Sequence, residues 1–121
     1  MAPKFDNNIP IYIQLVEQIK IYIISGKITS GERLPSVRDF ALEMKVNPNT
    51  MQKALQELEE AKLIYTQRTN GKYVTEDKKL IDKYKKHYAD DLSVKYFQNM
   101  ESIGFTKEDA IKYLESLGGN K

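Results

Sequence analysis

Cysteine and tryptophan are both absent from the 121 residues, and histidine occurs once, at His87. Without cysteine there are no disulfides, no thiolate metal sites and no thiol nucleophile. That absence fits a reducing compartment. No apolar run approaches the roughly 20 residues that span a bilayer. The opening Met-Ala-Pro-Lys-Phe-Asp lacks the apolar stretch of a secretory signal. The expectation is a cytoplasmic protein with no membrane partner. Excess charge is also scarce: 19 Lys+Arg against 17 Asp+Glu leave a formal net charge of +2. A nucleic-acid partner therefore has to be argued from where the charges sit, not from their sum. No glycine-rich phosphate loop is present. With that loop, cysteine and all but one histidine missing, the chain reads as a non-enzyme that needs no cofactor. His87, Asp90 and Asp91 stand at i, i+3 and i+4 and would share a helix face with nitrogen and oxygen donors. Charges so spaced more often form a solvated face, and no metal is expected.

What is present is a globular balance, 40% hydrophobic and 30% charged. The chain divides near residue 76. Residues 1–75 carry ten Lys/Arg, eight Asp/Glu and all four prolines, whereas residues 76–121 carry nine charges of each sign. All of the positive excess thus lies in the first part.

Hydrophobic spacing predicts a helix after Pro10, with Tyr12, Leu15, Val16, Ile19 and Ile23 on one face and Ser25-Gly26 as its end. A second, short helix should start at Ser36, with Asp39 completing a capping pair and Val37, Phe40, Ala41 and Met44 turned inward. The third has the clearest start. Asn47 is a good cap, and Pro48 suits the first helical position, where no donor is needed. Its inward face is Met51, Ala54, Leu55 and Leu58. Only Lys45 to Asn47 separate these two helices, a helix-turn-helix spacing. The period then changes to two. Ile64–Gln67 and Lys72–Thr75 flank Arg68-Thr69-Asn70-Gly71, and an Asn-Gly pair in which both residues accept positive φ predicts a hairpin. The fold class expected is mainly α with a small β-hairpin: a winged helix-turn-helix over residues 1–75, followed by a helical tail over 76–121.

The exposed side of the third helix is polar and basic at its start (Asn49, Thr50, Gln52, Lys53) and acidic at its end (Glu57, Glu59, Glu60). Phosphates would repel the acidic half, while the amino-terminal half adds the positive end of the helix dipole. A duplex would meet this helix by its amino-terminal end. Gln52 has the amide to pair with adenine, and Lys53 the charge for guanine or a phosphate. Ser36 and Arg38 at the start of the second helix, and Arg68, Asn70, Gly71 and Lys72 around the hairpin tip, complete the candidate DNA-binding set.

Pro10-Ile11-Tyr12, Ser25-Gly26-Lys27-Ile28, Gly31-Glu32-Arg33-Leu34-Pro35-Ser36-Val37-Arg38, Val46-Asn47-Pro48-Asn49-Thr50 and Leu55-Gln56-Glu57-Leu58-Glu59 together resemble the DNA-binding domain of the GntR family over roughly residues 9–75. The short tail resembles the YtrA-type subfamily. The resemblance implies a dimeric transcription factor, usually a repressor, on a palindromic operator in double-stranded DNA. It places the family's contacts on Arg38, Asn49, Thr50, Gln52 and Gly71. The sequence departs from the family where Met51-Gln52-Lys53 offers one basic residue instead of two. Its wing is also poorer in glycine and arginine than is usual. Both departures bear on the operator sequence.

The tail supplies its own argument for pairing. Leu80, Ile81, Tyr84, Tyr88, Leu92, Phe97 and Met100 follow approximate helical spacing, and a break is expected at Ile103-Gly104-Phe105. A last helix then opens at Thr106, carries Ala110, Ile111, Leu114 and Leu117, and should end at Gly118-Gly119. Long apolar stripes with little domain to cover them suit a homodimer. The expected interface is Leu80, Ile81, Tyr84, Tyr88, Leu92, Phe97, Ile111 and Leu114. A winged helix can also bind proteins, and a protein-interaction module without operator binding is the alternative. A small-molecule effector bound between the two parts is left open by the sequence, and no residue set points to its class.

Overall fold

The structure, a computed structural model, describes residues 2–118. Its elements in chain order are α1 (Ile11–Ser25), α2 (Val37–Met44), α3 (Pro48–Glu60), β1 (Ile64–Gln67), β2 (Gly71–Val74), α4 (Lys78–Ser102) and α5 (Lys107–Gly118). The architecture is mainly helical with one antiparallel hairpin. Contacts divide the chain into two compact units between Lys83 and Tyr84, inside α4. Among the described residues no helix is long and apolar enough to cross a membrane.

The first unit is built around α3. Met51, Ala54, Leu55 and Leu58 are fully buried, as their spacing predicts. They meet Leu15, Ile19 and Ile23 of α1 and Phe40 and Met44 of α2, all of which are also buried. Burying one such side chain contributes roughly 1.5–3 kcal/mol over leaving it exposed, so this three-helix contact dominates the unit's stability. Val37 is only half-buried, unlike the rest of its expected face, because it is the first residue of α2 and lies at the edge of the core. Tyr22, Ile24, Ile28, Leu34 and Leu63 join the core beyond the predicted stripes.

The helix ends follow local chemistry. Gly26, at φ 83°, closes α1. Ser36 Oγ accepts the Asp39 N–H at 3.1 Å, and Asn47 Oδ1 accepts the Asn49 N–H at 2.7 Å. Pro48 occupies the first turn of α3. The turn between α2 and α3 needs a left-handed residue, and Lys45 supplies it at φ 57°. The Lys45 N–H then reaches the Ala41 and Leu42 carbonyls, and the Val46 N–H reaches Ala41 O at 3.0 Å. This is the arrangement that usually employs glycine.

The hairpin differs from expectation in its turn. Gln67 pairs with Gly71, so three residues connect the strands, and β2 runs over Gly71–Val74 rather than Lys72–Thr75. Gly71 has φ 102°, whereas Asn70 is not among the positive-φ residues. A three-residue connection needs one left-handed residue after its turn, not the two that a tight Asn-Gly turn would use. A further strand segment was not anticipated. Arg33 bridges Tyr73, the Leu34 N–H donates to Lys72 O at 2.8 Å, and the Val74 N–H donates to Glu32 O at 2.9 Å. The free edge of β2 is thereby paired. Only a few residues before Pro35 take part, too few to show a period.

Alternation along β2 sends Val74 into the core and Lys72 to the same face, toward α3. There Lys72 Nζ lies 2.9 Å from Glu59 Oε1 and 3.0 Å from Thr66 Oγ1, and the Thr66 hydroxyl donates to Glu59 at 2.8 Å. The hairpin is thus tied by polar groups to the last turns of α3.

In the second unit Ala110 is the buried residue among those described. Tyr96 Oη donates to Ala110 O at 2.9 Å, which joins α5 to α4. Gly104, at φ 97°, makes the break that the sequence predicts, and Thr106 Oγ1 caps α5 through the Asp109 N–H. Gly118 is still helical, and the expected stop at Gly119 lies outside the described residues.

Two predictions follow from this geometry. Lys45→Gly should raise stability by about 1 kcal/mol, because a side chain in the left-handed region carries a steric cost. An increased urea midpoint at unchanged m-value would show it. The Lys72 ammonium, then the Thr66 hydroxyl, hold the Glu59 carboxyl below its usual range. A carboxyl depressed on folding stabilises the fold above its unfolded pKa of about 4.3 and loses that effect as pH falls through the lower folded value. Glu59→Gln should therefore cost about 0.5 kcal/mol at neutral pH. The gap from wild type should stay flat down to about pH 5 and close below about pH 4 in urea titrations.

Candidate nucleic-acid interface

With its underside buried, α3 presents Asn49, Gln52 and Lys53 to solvent and leaves Thr50 half-buried. The Asn47 side chain is used as the cap, so the groups free to read a ligand begin at Asn49. Amides of the first turn and the helix dipole favour an anion at this end. Arg38 is exposed in the first turn of α2, and the Ser36 hydroxyl oxygen beside it is taken up by the Asp39 N–H. The tight turn at Lys45 brings these two helices into contact.

At the wing, Arg68 and Asn70 are exposed. The Asn70 N–H donates to Gln67 O at 3.0 Å, which shapes the tip. Gly71 meets two demands. Its φ of 102° is one that side chains rarely adopt, and a Cβ there would lie 3.4 Å from Arg33 Nε and 3.5 Å from Arg33 Nη2. The Arg33 guanidinium therefore lies against the wing, exposed, with a row of donors. Arg33 belongs to this surface and was not among the predicted site residues. The signal was its place beside Leu34: alternation that buries Leu34 turns Arg33 outward.

Two of the predicted cations have internal partners. Lys72 is held by Glu59 and Thr66. The Lys53 ammonium sits 4.4 Å from the centroid of the Tyr12 ring. The acidic half of α3 is partnered as well. Glu59 receives Lys72, and the Glu57 carboxylate beside the Tyr12 phenol raises the tyrosine pKa above its ordinary value. A shallow cleft of about 470 Å³, lined by Gln52, Gln56, Glu59, Glu60 and Lys72, runs along this face of α3.

Of the predicted pairing residues, Leu80, Ile81, Tyr84, Tyr88 and Phe97 are half-buried, and Leu92, Ile111 and Leu114 are exposed, Leu92 at 69%. His87 Nε2 lies 3.4 Å from Asp91 and Lys86 pairs with Asp90 at 2.7 Å, all on the solvent side. Among the described residues no cluster of three metal-binding side chains forms.

The sequence pattern of the "Bacterial regulatory proteins, gntR family" matches residues 11–74. The HTH-type transcriptional regulator YhcF of Bacillus subtilis is 30% identical over 117 residues, 97% of each chain. The HTH-type transcriptional repressor YtrA of the same organism is 43% identical over 70 residues, 58% of this chain and 54% of that protein. Among solved structures, a GntR family transcriptional regulator from Listeria monocytogenes superposes with a TM-score of 0.83 at 40% identity, covering 93% of this chain and 98% of that one. The DNA-binding domain of AraR, solved in complex with an operator, matches 62% of this chain and 88% of its own with a TM-score of 0.51 and 27% identity. With the winged helix-turn-helix and its exposed reading end in place, these matches establish that the chain belongs to the GntR family of bacterial helix-turn-helix transcriptional regulators.

Proposed function

We propose that the chain represses transcription by binding a palindromic operator as a homodimer, residues 1–75 reading DNA and residues 76–121 pairing the two copies. The observation that carries the reading is the amino-terminal end of α3, capped by Asn47, with Asn49 and Gln52 free in solvent and Arg38 exposed nearby on the adjoining helix. That end enters the major groove, where Gln52 pairs with adenine and Arg38 takes a phosphate or a guanine edge. The wing, with Arg33, Arg68 and Asn70 around Gly71, lies along the backbone or minor groove. The repressor and operator named among its relatives support the same reading.

Pairing is supported by the apolar surface of the second unit. Leu92, Val94, Ile111, Tyr113, Leu114 and Leu117 are all more than 40% exposed. A lone unit has no reason to keep so much apolar surface in water. Two copies also double the phosphate contacts of a protein whose net charge is only +2.

Selection of bound fragments from genomic DNA should recover an inverted repeat. Arg38→Ala should then lower affinity for it by about 1–3 kcal/mol in a gel-shift titration, and an unchanged affinity rejects that contact. Replacing Gln52 should alter base preference more than overall affinity. Binding should weaken steeply with added salt, which a protein-interaction module would not show. Sedimentation should give a dimer for the full chain and a shift toward monomer for Leu114→Asp. A monomeric wild type removes the pairing role of the tail.

A further inference from the structure

Lys53 and Glu57 stand one turn apart on α3, a spacing at which side chains of opposite charge reach each other. Among the described residues no ion pair joins them. Each meets Tyr12 of α1 instead. The Lys53 ammonium lies 4.4 Å from the ring centroid, and the Glu57 carboxylate beside the phenol raises the tyrosine pKa above its ordinary value. The three side chains, with Gln56 and Glu60, line one small cleft of about 210 Å³.

Tyr12 is itself held in place. It lies in the first turn of α1, after Pro10, and that turn has no capping side chain at its start. Gln14 supplies the missing restraint. Its Nε2 donates to Asp6 O and Ile9 O, both at 2.7 Å, and its Oε1 accepts the Asp6 N–H at 2.7 Å. The segment leading into α1 is thereby clamped to the helix, and the turn that carries the ring cannot readily fray.

We propose that Tyr12 is a positioning residue for DNA recognition: its ring seats the Lys53 ammonium away from Glu57, so that Lys53 keeps its charge available at the reading end of α3. The proposal rests on the reading that this end meets DNA. A lysine on a four-carbon stem loses conformational freedom when it grips a phosphate or a base. A lysine already resting on a ring face has lost part of it beforehand, and one paired with Glu57 would bring no net charge. Tyr12 prevents both losses without touching DNA.

The test uses the full chain and an operator fragment recovered from it. Tyr12→Leu should weaken binding about three- to fivefold, and Tyr12→Phe, which keeps the ring, should lose less. In a Lys53→Met background, Tyr12→Leu should cost nothing more. In the free protein, the Lys53 ε-methylene proton resonances should be shifted upfield by the ring in wild type and in Tyr12→Phe, and the shift should vanish in Tyr12→Leu. Melting curves establish that each variant is folded, and Lys53→Met with Tyr12→Phe still decides the matter if Tyr12→Leu is not. The proposal is overturned if Tyr12→Phe is as damaging as Tyr12→Leu, if the effects of Tyr12→Leu and Lys53→Met multiply, or if Lys53→Met binds like wild type. A wild-type chain that binds no DNA overturns the functional reading as well, whereas operator binding indifferent to Tyr12→Leu overturns this proposal alone.

Discussion

Burial of one side of α3 governs the rest of the first unit. Met51, Ala54, Leu55 and Leu58 have no solvent exposure, and α1 and α2 supply the surfaces that cover them. A helix anchored along a stripe of that spacing has its rotation about its own axis set, because turning it would carry leucines into water. Everything on the opposite side is placed by the same act. Asn49, Gln52 and Lys53 face solvent because Met51 and Leu55 do not. The polar end stays helical right to its start because Asn47 and Pro48 satisfy the first turn, and the left-handed Lys45 lets α2 stop where α3 has to begin.

That constraint explains why so much was legible in the sequence. Periodicity identifies buried faces, and in α3 the four expected residues are the four found inside. Caps are local chemistry, so Ser36, Asn47 and Thr106 announced the helices they start. What escaped the sequence was set by pairing over distance or by side-chain reach. The Arg33 bridge to Tyr73 depends on β2 having a free edge just there, which no local spacing reveals. The sequence leaves four residues, Arg68 to Gly71, between the strands with positive φ open to both Asn70 and Gly71, whereas register pairs Gly71 with Gln67 and only Gly71 takes positive φ. The left-handed conformation at Lys45 is hidden because lysine does not advertise it.

The site divides along the same line. Arg38, Asn49, Gln52, Arg68 and Asn70 are exposed, as a reading from helical and strand faces requires. Lys53 and Lys72 read as cations for DNA from their places on the exposed start of α3 and beside the hairpin tip, yet each has a partner on another element. For Lys72 the alternation of β2 held the clue, since it shares a face with the buried Val74 and so turns toward α3.

These partnerships alter the electrostatics of the reading helix. Its acidic half would repel a duplex if left bare, at a range set by a Debye length of about 8 Å at physiological salt. Glu59 is matched by Lys72, so part of the negative field is answered from outside the helix. Arg33, Arg38 and Arg68 remain exposed, although the chain as a whole has a net charge of only +2. Local arrangement thus does what bulk charge does in strongly basic proteins. A single copy still offers few phosphate contacts, and counterion release scales with their number. Under the proposed homodimer the apolar surface of the second unit would answer that shortfall, for a surface that favours pairing also favours two reading heads on one duplex.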